Sequence, residues 1–296
     1  FLINVPIGLT VLVLGRRVLA ETERSSDAGP VDYVGSLVGT SAIGLLTFGV
    51  LQGPRWGWTS GTVLLALVLS VALATAFLVR CNRAASPLVN LGLFRNQKFA
   101  LANLSQAGTQ FAINAWFFTT PLFLINVWGY SALAGGTAVA IGMIVSFVSI
   151  PVGHWSDTHG YRGVLALGGM IAASGMFVWV FTVDESPDFW SLYLVGLLLF
   201  GLGAGMVGIV VTNAALTDVP EHDLGIGNAV FQTIRRVCGA LGVAVAVALL
   251  GDRSNESIQA FRAVWLLIAG GYLFSVMVVM GYPTNSKPDP DRQLRS

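Results

Sequence analysis

The chain has 296 residues, of which 54% are hydrophobic and only 10% are charged, and its mean hydropathy is +0.73. Soluble globular domains carry about 25% charged residues, so a surface that faces water on all sides is excluded and a lipid bilayer is the predicted environment. The net charge of +1 comes without a basic run that would hold phosphates, so we expect no nucleic acid partner.

Long apolar runs separated by short polar connectors follow one another along the chain. A helix that crosses the hydrocarbon core needs about 20 apolar residues, whereas strands of a membrane barrel alternate over about ten residues. The runs are too long and too uniformly apolar for strands, so they predict an all-α polytopic membrane bundle. The nine predicted spans are 1–15, 34–52, 61–79, 99–125, 131–152, 163–183, 189–213, 226–250 and 262–282.

The two ends of the chain carry their own predictions. The first apolar run begins at Phe1 and precedes the basic pair Arg16 and Arg17. A signal peptide has its positive charge before the apolar stretch, so this run is predicted to be a membrane span and not a cleaved leader. Because the first residue is not Met, we expect the chain to be part of a longer protein. The tail 284–296 is rich in charge and has no apolar face, which predicts disorder.

Lys and Arg are distributed unevenly between alternate connectors. Eleven of the 16 cationic residues lie in one set of connectors, three lie in the other set, and two lie inside a predicted span. Cytoplasmic connectors carry the excess of Lys and Arg, so the richer set and the C-terminus are predicted to be cytoplasmic. Trp and Tyr favour the depth of the lipid headgroups, and we therefore expect Trp128, Tyr130, Trp190 and Tyr193 at the outer surface of the membrane.

One cytoplasmic connector, PVGHWSDTHGYRG at 151–163, concentrates charge between two apolar runs. Gly153 is expected to end one helix in a tight exit, and Gly160 to supply a positive φ in a short connection. Asp157 can accept backbone N–H groups at a helix N-terminus, where the macrodipole favours an anion. Arg162 can pair with a carboxylate or with lipid phosphate. By spacing alone, an ordinary cytoplasmic turn explains the pattern equally well.

The pattern G-x-x-x-D-x-x-G-x-R resembles the signature loop of the major facilitator superfamily, which joins the second and third helices of a six-helix half. Five further stretches resemble the fourteen-span drug:proton antiporter branch of that superfamily, the EmrB/QacA type. They are FLINVPIG at 1–8, DYVG at 32–35, LFRN at 93–96, GYS at 129–131 and RRVCGALGVA at 235–244, in which Cys238 replaces a usual glycine. In order and spacing the resemblance covers nearly the whole chain.

This resemblance implies a domain organisation. Residues 1–20 would be the last helix of a truncated N-terminal half, 21–95 a cytoplasmic loop with two central linker helices, and 96–283 a complete C-terminal six-helix half. Five spans, and with them the N-terminal half of the same transporter, would be missing. In the family the loop Asp helps latch one half against the other, so Asp157 is implied to act in a conformational latch whose partner lies in the missing half.

Amide side chains form a stripe in the span 99–125, because they recur at intervals of three and four residues. They are Asn103, Gln106, Gln110 and Asn114. Polar groups inside a membrane are expensive, and with the aromatic residues near Phe117 they predict a cavity for an apolar or cationic drug-like molecule. The alternative is hydrogen bonding between packed helices, worth about 0.6–2 kcal/mol per contact.

A second polar face lies in the span 226–250, where Asn228, Gln232 and Arg235 or Arg236 lie on one side of the helix. An Arg at the centre of the bilayer costs about 2.5–3.5 kcal/mol on the insertion scale, so its presence needs a reason. Snorkelling towards the surface or a structural contact between halves is one interpretation, and substrate binding or coupling is the other.

Other residue types restrict the chemistry. Cys81 and Cys238 show no ligand or redox spacing, and His154 and His159 are five residues apart, so neither a metal nor a cofactor is expected. No carboxylate lies in the middle of a predicted span, so the sequence does not identify a proton-coupling residue. The glycines of the later spans, Gly239 among them, are expected to serve close helix packing.

The predicted function is secondary active transport across the plasma membrane. The transporter would lie in the lipid bilayer and export drug-like organic molecules by alternating access, driven by proton uptake. One alternative is a non-transporting fragment. The other is a polytopic membrane enzyme, which would need a nucleophile, an acid/base pair or a metal cluster at the membrane face, and no such pattern is present. We therefore predict a transporter and not an enzyme.

Overall fold

The computed structural model of the chain describes residues 32–84, 89, 91–216, 219, 224–251 and 257–281, and isolated positions between 5 and 15. Within these residues the regular structure is helical, as predicted. The helices are α1 (Tyr33–Trp56), α2 (Gly61–Arg83), α3 (Gln97–Asn126), α4 (Ala132–Phe147), α5 (Ile150–His159), α6 (Tyr161–Thr182), α7 (Leu194–Leu216), α8 (Leu224–Leu250) and α9 (Ile258–Met280). A 3₁₀ turn at Leu91–Arg95 precedes α3, and a π-helical turn at Phe189–Tyr193 precedes α7. Most of the predicted span 1–15 and the tail 284–296 lie outside the described residues.

Seven segments of the described residues are long and apolar enough to cross a membrane, and they correspond to the predicted spans other than 1–15 and 99–125. The helix at 99–125 is α3, which has 30 residues but a lower hydropathy because of its amides. Asn96 caps its N-terminus, because its side chain accepts from the backbone N–H of Lys98 at 2.9 Å. Helix α3 contacts α4, α7, α8 and α9, so the most polar long helix is also central to the bundle.

The connector 151–163 is shorter than predicted, because helix α5 occupies most of it and Gly160 alone separates α5 from α6. Gly160 has a φ of +93°, the positive φ that the sequence predicted. The prediction that Gly153 ends a helix was wrong. Gly153 lies inside α5, where an added Cβ would come within 2.9 Å of the Ile209 side chain on α7. A small residue is therefore needed at this position for helix packing and not for a helix exit.

An aromatic cluster around Phe123 of α3 forms the core of the bundle. The ring centroid of Phe123 lies 5.0 Å from Trp265 and 5.2 Å from Phe261, both on α9. It also lies 5.1 Å from the Trp128 ring that follows α3. Edge-on contacts of this kind add to the energy of burial, so the cluster fastens α3 to α9.

Two of the aromatic residues predicted at the membrane interface are buried in this core. Trp128 is 6% exposed and Tyr193 is 1% exposed, whereas Trp190 is 81% exposed. The Trp128 indole N–H donates to the Asp184 carbonyl at 2.9 Å, and the Trp179 indole N–H donates to the Tyr193 carbonyl at 2.9 Å. These bonds hold the turn after α6 against the end of the bundle, and the Trp128 and Tyr193 rings are buried there.

Helices α1 and α2 form a hairpin that contacts the rest of the bundle mainly through α8. Asp32 caps α1 by accepting from the Gly35 N–H at 2.8 Å, and it also accepts from the Arg80 guanidinium at 2.8–3.0 Å near the end of α2. The Arg80 guanidinium and the Gly35 N–H hold the pKa of the Asp32 carboxyl below its ordinary value of 3.8. One carboxylate thus closes the open end of the hairpin.

Candidate substrate groove between α3 and α8

Helix α8 approaches α3 closely because two of its glycines face that helix. A Cβ added to Gly239 would come within 2.6 Å of the Asn114 amide nitrogen, and a Cβ on Gly242 would collide with the Phe111 carbonyl oxygen. The packing role predicted for Gly239 is therefore confirmed. The crossing brings the middle of α3 against the middle of α8.

A groove with a volume of about 880 Å³ lies beside this crossing. Pockets for drug-sized ligands occupy roughly 300–1,000 Å³, so the groove has the size for such a molecule. It is lined by Gln110, Ile113, Asn114 and Phe117 of α3 and by Gln232, Arg235, Arg236, Gly239, Ala240 and Val243 of α8. At 1.5 Å per residue, Gln110 lies about 20 Å from the start of α3 and Arg235 about 16 Å from the start of α8, so both are near the middle of their helices.

Four of the seven predicted lining residues reach this groove, and three do not. Those that reach it are Gln110, Asn114, Gln232 and Arg235. Asn103 and Gln106 are each 2% exposed inside the bundle, and the Asn103 amide donates to the Phe99 carbonyl at 2.8 Å. Asn228 is exposed but does not line the groove. The amide stripe therefore divides, with packing at its first two members and the groove at its last two.

The two groove amides of α3 form a connected pair. The Asn114 amide N–H donates to the Gln110 carbonyl at 2.9 Å and to the Gln110 side-chain oxygen at 3.2 Å. Because both bonds run along the same helix face, the side chains are held in one arrangement. The α3 wall of the groove thus presents ordered amides to whatever enters it.

Fewer aromatic rings reach the groove than the sequence suggested. Trp116 is 2% exposed and stacks on Phe200 of α7 with a centroid distance of 4.7 Å, so it belongs to the core. Phe117 lines the groove and is 37% exposed. A single ring offers an apolar contact, but it does not form an aromatic cage around a cation.

The charge of the groove is positive. Arg235 and Arg236 are both exposed and both line it, although the sequence pattern had left open which of the two shares the polar face. Among the side chains that the structure describes, the acidic ones lie at the start of α1 and in the turn after α6, and none of them lines the groove. They are Asp32, Asp184, Glu185 and Asp188. Sequence reasoning also missed Ile113, Ala240 and Val243, which the three- and four-residue spacing from the amides and Gln232 could have indicated.

Three residues of the signature-like connector have described side chains or backbone that lie away from this groove. Gly153, Gly160 and Arg162 are absent from its lining. Asp157 falls in the last turn of α5, and its side chain lies outside the described part. Arg162 is the second residue of α6, and its guanidinium approaches the Met280 sulfur at the end of α9 at 3.8 Å. This connector therefore links α5 to α6 and contacts the end of α9.

The other side of α8 borders an apolar cavity of about 560 Å³, which separates it from the α1–α2 hairpin. Cys238 and Thr233 lie on this side, with Phe77 of α2 opposite. No group of three or more His, Cys, Asp or Glu side chains in the described residues is placed to hold a metal ion. Helix α8 thus divides a polar groove from an apolar cavity.

Membrane-length helices packed around a polar groove near the middle of α3 and α8 define a polytopic α-helical membrane protein. The sequence profile of the Major Facilitator Superfamily matches residues 1–243 and, in a second alignment, residues 149–295. The chain belongs to the Major Facilitator Superfamily.

Three curated relatives illustrate the similarity. The multidrug resistance protein Stp of Mycobacterium tuberculosis is 30% identical over 262 residues, which cover 88% of this chain and 48% of that protein. The cephamycin export protein CmcT of Amycolatopsis lactamdurans is 34% identical over 266 residues, covering 86% and 53%. The tetracenomycin C resistance and export protein of Streptomyces glaucescens is 27% identical over 259 residues, covering 86% and 47%. The chain spans about half the length of these relatives.

Proposed function

We propose that the chain is the C-terminal portion of a secondary transporter that exports small drug-like molecules across the plasma membrane. The observation that carries this proposal is the groove between α3 and α8, which has the size of a drug-like molecule and lies at mid-helix depth. Transporters place substrate sites near the bilayer midplane, between parts of the bundle that move against one another. The family membership and the export and resistance proteins among the relatives support a transporter over an enzyme.

The proposed transporter belongs to the fourteen-span drug:proton antiporter branch. In this arrangement α1 and α2 are the two central linker helices, and residues 96–283 form the C-terminal six-helix half. The N-terminal half would cover the open side of the groove. Proton coupling would use an acidic residue of that half, because the described lining of the groove contains no carboxylate. The C-terminus would lie in the cytoplasm.

The connector with Asp157 is proposed as the conformational latch of this transporter. Gly160 turns the chain sharply between α5 and α6, which keeps the Asp at a helix end. A carboxylate there can bind a partner on the N-terminal half in one state of the cycle and release it in the other. The latch would then change the rate of cycling without touching the substrate.

The groove assignment is tested by efflux measurements on the full-length transporter that contains this chain. Gln110→Ala removes a lining amide, so we expect the ratios of export rates among a panel of drugs to change by about threefold or more. Gln106→Ala on the same helix is the matched control, since Gln106 is buried away from the groove. It should lower the amount of folded protein but leave these ratios unchanged. Unchanged ratios of export rates with Gln110→Ala would contradict a substrate contact and indicate that this amide serves helix packing.

The latch is tested by Asp157→Asn in the same full-length transporter. We expect the maximal efflux rate to fall by about tenfold while substrate affinity stays nearly the same, because the side chain would act on the conformational equilibrium. Asp188→Asn, in the turn after α6, is the control for loss of one carboxylate. Efflux at the wild-type rate with Asp157→Asn would contradict the latch.

A further inference from the structure

We propose that the groove selects anionic molecules and that Arg235 and Arg236 bind the anionic group. This inference rests on the proposed function, because it takes the groove as the substrate site, and it narrows the class of substrate. The sequence had suggested apolar or cationic molecules. The two positive charges of Arg235 and Arg236 in the groove instead favour a negatively charged substrate.

The two guanidiniums are the only charged groups among the described residues that line the groove. Both side chains are exposed, and neither has an ion-pair partner in the described part of the chain. Each guanidinium carries one positive charge, so the two arginines give the groove two positive charges. An ammonium group placed beside them would be repelled, whereas a carboxylate would be attracted.

The geometry suits a carboxylate or a similar oxyanion. Arg presents donors in a planar fork that matches two oxygen atoms, and two adjacent Arg side chains on one helix can approach the same anion. Gln232 lies three residues before Arg235, one helical turn away, and adds an amide on the same wall. Across the groove, Gln110 and Asn114 supply further polar contacts, and Phe117 offers an apolar face to the rest of the molecule.

The two arginines lie near the middle of α8, a helix long and apolar enough to cross a membrane. Ionised side chains are rare inside membrane helices and are kept where they face a cavity or a ligand. A charge interaction gains strength as the surroundings lose water, so an anion in this groove is held more firmly than one at the surface. A carboxylate contributed by another part of the transporter is the competing partner for these arginines, and it would remove the preference for anions.

The test compares three probes of the same size and different charge. They are 1-pyrenebutyrate, 1-pyrenebutanamide and 1-pyrenebutylamine, which are an anion, a neutral amide and a cation at neutral pH. Equilibrium binding is measured with the full-length transporter that contains this chain, in nanodiscs of uncharged phosphatidylcholine, and binding to empty nanodiscs is subtracted. We expect the anion to bind about tenfold more tightly than the amide, and the cation to bind most weakly.

Variants connect this preference to the two side chains. Arg235→Gln with Arg236→Gln should weaken binding of the anion by about tenfold and leave the amide within about threefold. Arg83→Gln, on an exposed Arg at the end of α2, removes a charge outside the groove and should change nothing. Arg235→Lys with Arg236→Lys keeps the charge without the fork, so part of the preference should remain. Ala240→Trp fills the groove and should abolish binding of all three probes.

The outcomes separate the two proposals. Equal binding of the three probes, blocked by Ala240→Trp, contradicts the anion preference and leaves the groove as a substrate site. The same conclusion follows if the cation binds most tightly, or if the double Gln variant keeps the preference. The absence of saturable binding of any probe to the folded full-length transporter contradicts both the anion preference and the assignment of the groove as the substrate site.

Discussion

At the scale of the residue, Gly242 shows how one missing side chain places the groove. An added Cβ would collide with the Phe111 carbonyl, which is backbone and cannot rotate aside as a side chain would. The helices would have to separate to admit even a methyl group. Since Gln110 and Asn114 flank this contact on α3, and Arg235 lies on the facing helix, the separation would also change the shape of the groove.

We therefore expect Gly242→Ala to destabilise the chain by about 1–3 kcal/mol, the usual range for overpacking in a close-packed interior. The measurement is the thermal unfolding midpoint in detergent, followed by tryptophan fluorescence. Gly225→Ala is the control on the same helix, because a Cβ there would meet no atom within 4 Å. It should be neutral or slightly stabilising, since Ala favours helix more than Gly does. Equal midpoints for the two variants would show that the α3–α8 crossing is looser than described.

At the scale of the element, the α1–α2 hairpin depends on an ion pair at its open end. Asp32 holds the first turn of α1 and the last turns of α2 together, and its side chain is 4% exposed while that of Arg80 is 42% exposed. The hairpin contacts the bundle mainly through α8, with an apolar cavity between them. We call the Asp32–Arg80 ion pair the hairpin clamp, or the clamp. Because the hairpin has few other contacts with the bundle, we expect the clamp to contribute to the position of the hairpin.

The clamp predicts a pH dependence. Because the folded pKa of Asp32 is lowered, its contribution to stability is present above the unfolded pKa and is lost as the pH falls through the folded value, below 3.8. Asp32→Asn keeps a good N-cap but removes the ion pair. We expect it to unfold at a lower temperature than the wild type at about pH 7, and the difference to shrink as the pH falls below 3.8. Arg80→Gln should behave in the same way, and a difference that persists at low pH would contradict the clamp.

At the scale of the whole molecule, the positions of the charges agree with a single orientation in the membrane. Asp184, Glu185 and Asp188 lie in the turn after α6, whereas the basic residues of the described part lie mostly at the opposite helix ends. The aromatic cluster around Phe123 fastens the acidic end of the bundle. This end is expected to face outwards, because cytoplasmic connectors carry the excess of Lys and Arg.

Thiol labelling in intact cells tests this orientation. The native cysteines are first replaced, as Cys81→Ser and Cys238→Ala, and one new thiol is then introduced as Ser186→Cys or Arg83→Cys. We expect a membrane-impermeant maleimide to label the thiol at position 186 from outside and to reach position 83 only after the cells are made permeable. The reverse pattern would invert the topology and move Asp157 to the outer side.

The amino-acid sequence by itself determined the class of the protein and the approximate positions of the long helices in the described residues, although not the short helix α5. Runs of about 20 apolar residues in a chain with so few charges leave helices in a bilayer as the arrangement that satisfies every backbone hydrogen bond. The positive φ of Gly160 followed in the same local way, because a very short connection requires it. Apolar runs and a positive φ are local features, because they depend only on residues that are close in sequence.

Only the tertiary structure decided what each polar and aromatic residue does. Periodicity placed Gln106 and Gln110 on the same stripe, but the contacts of α3 with its neighbours buried the first and left the second in the groove. Trp is a residue type that favours the membrane interface, and only the fold showed that Trp128 is buried, with its indole N–H donating to the Asp184 carbonyl. One helix face contacts different neighbouring helices along its length. Which neighbour a side chain contacts depends on how closely the helices approach each other. For α3 and α8, glycines on α8 set that distance.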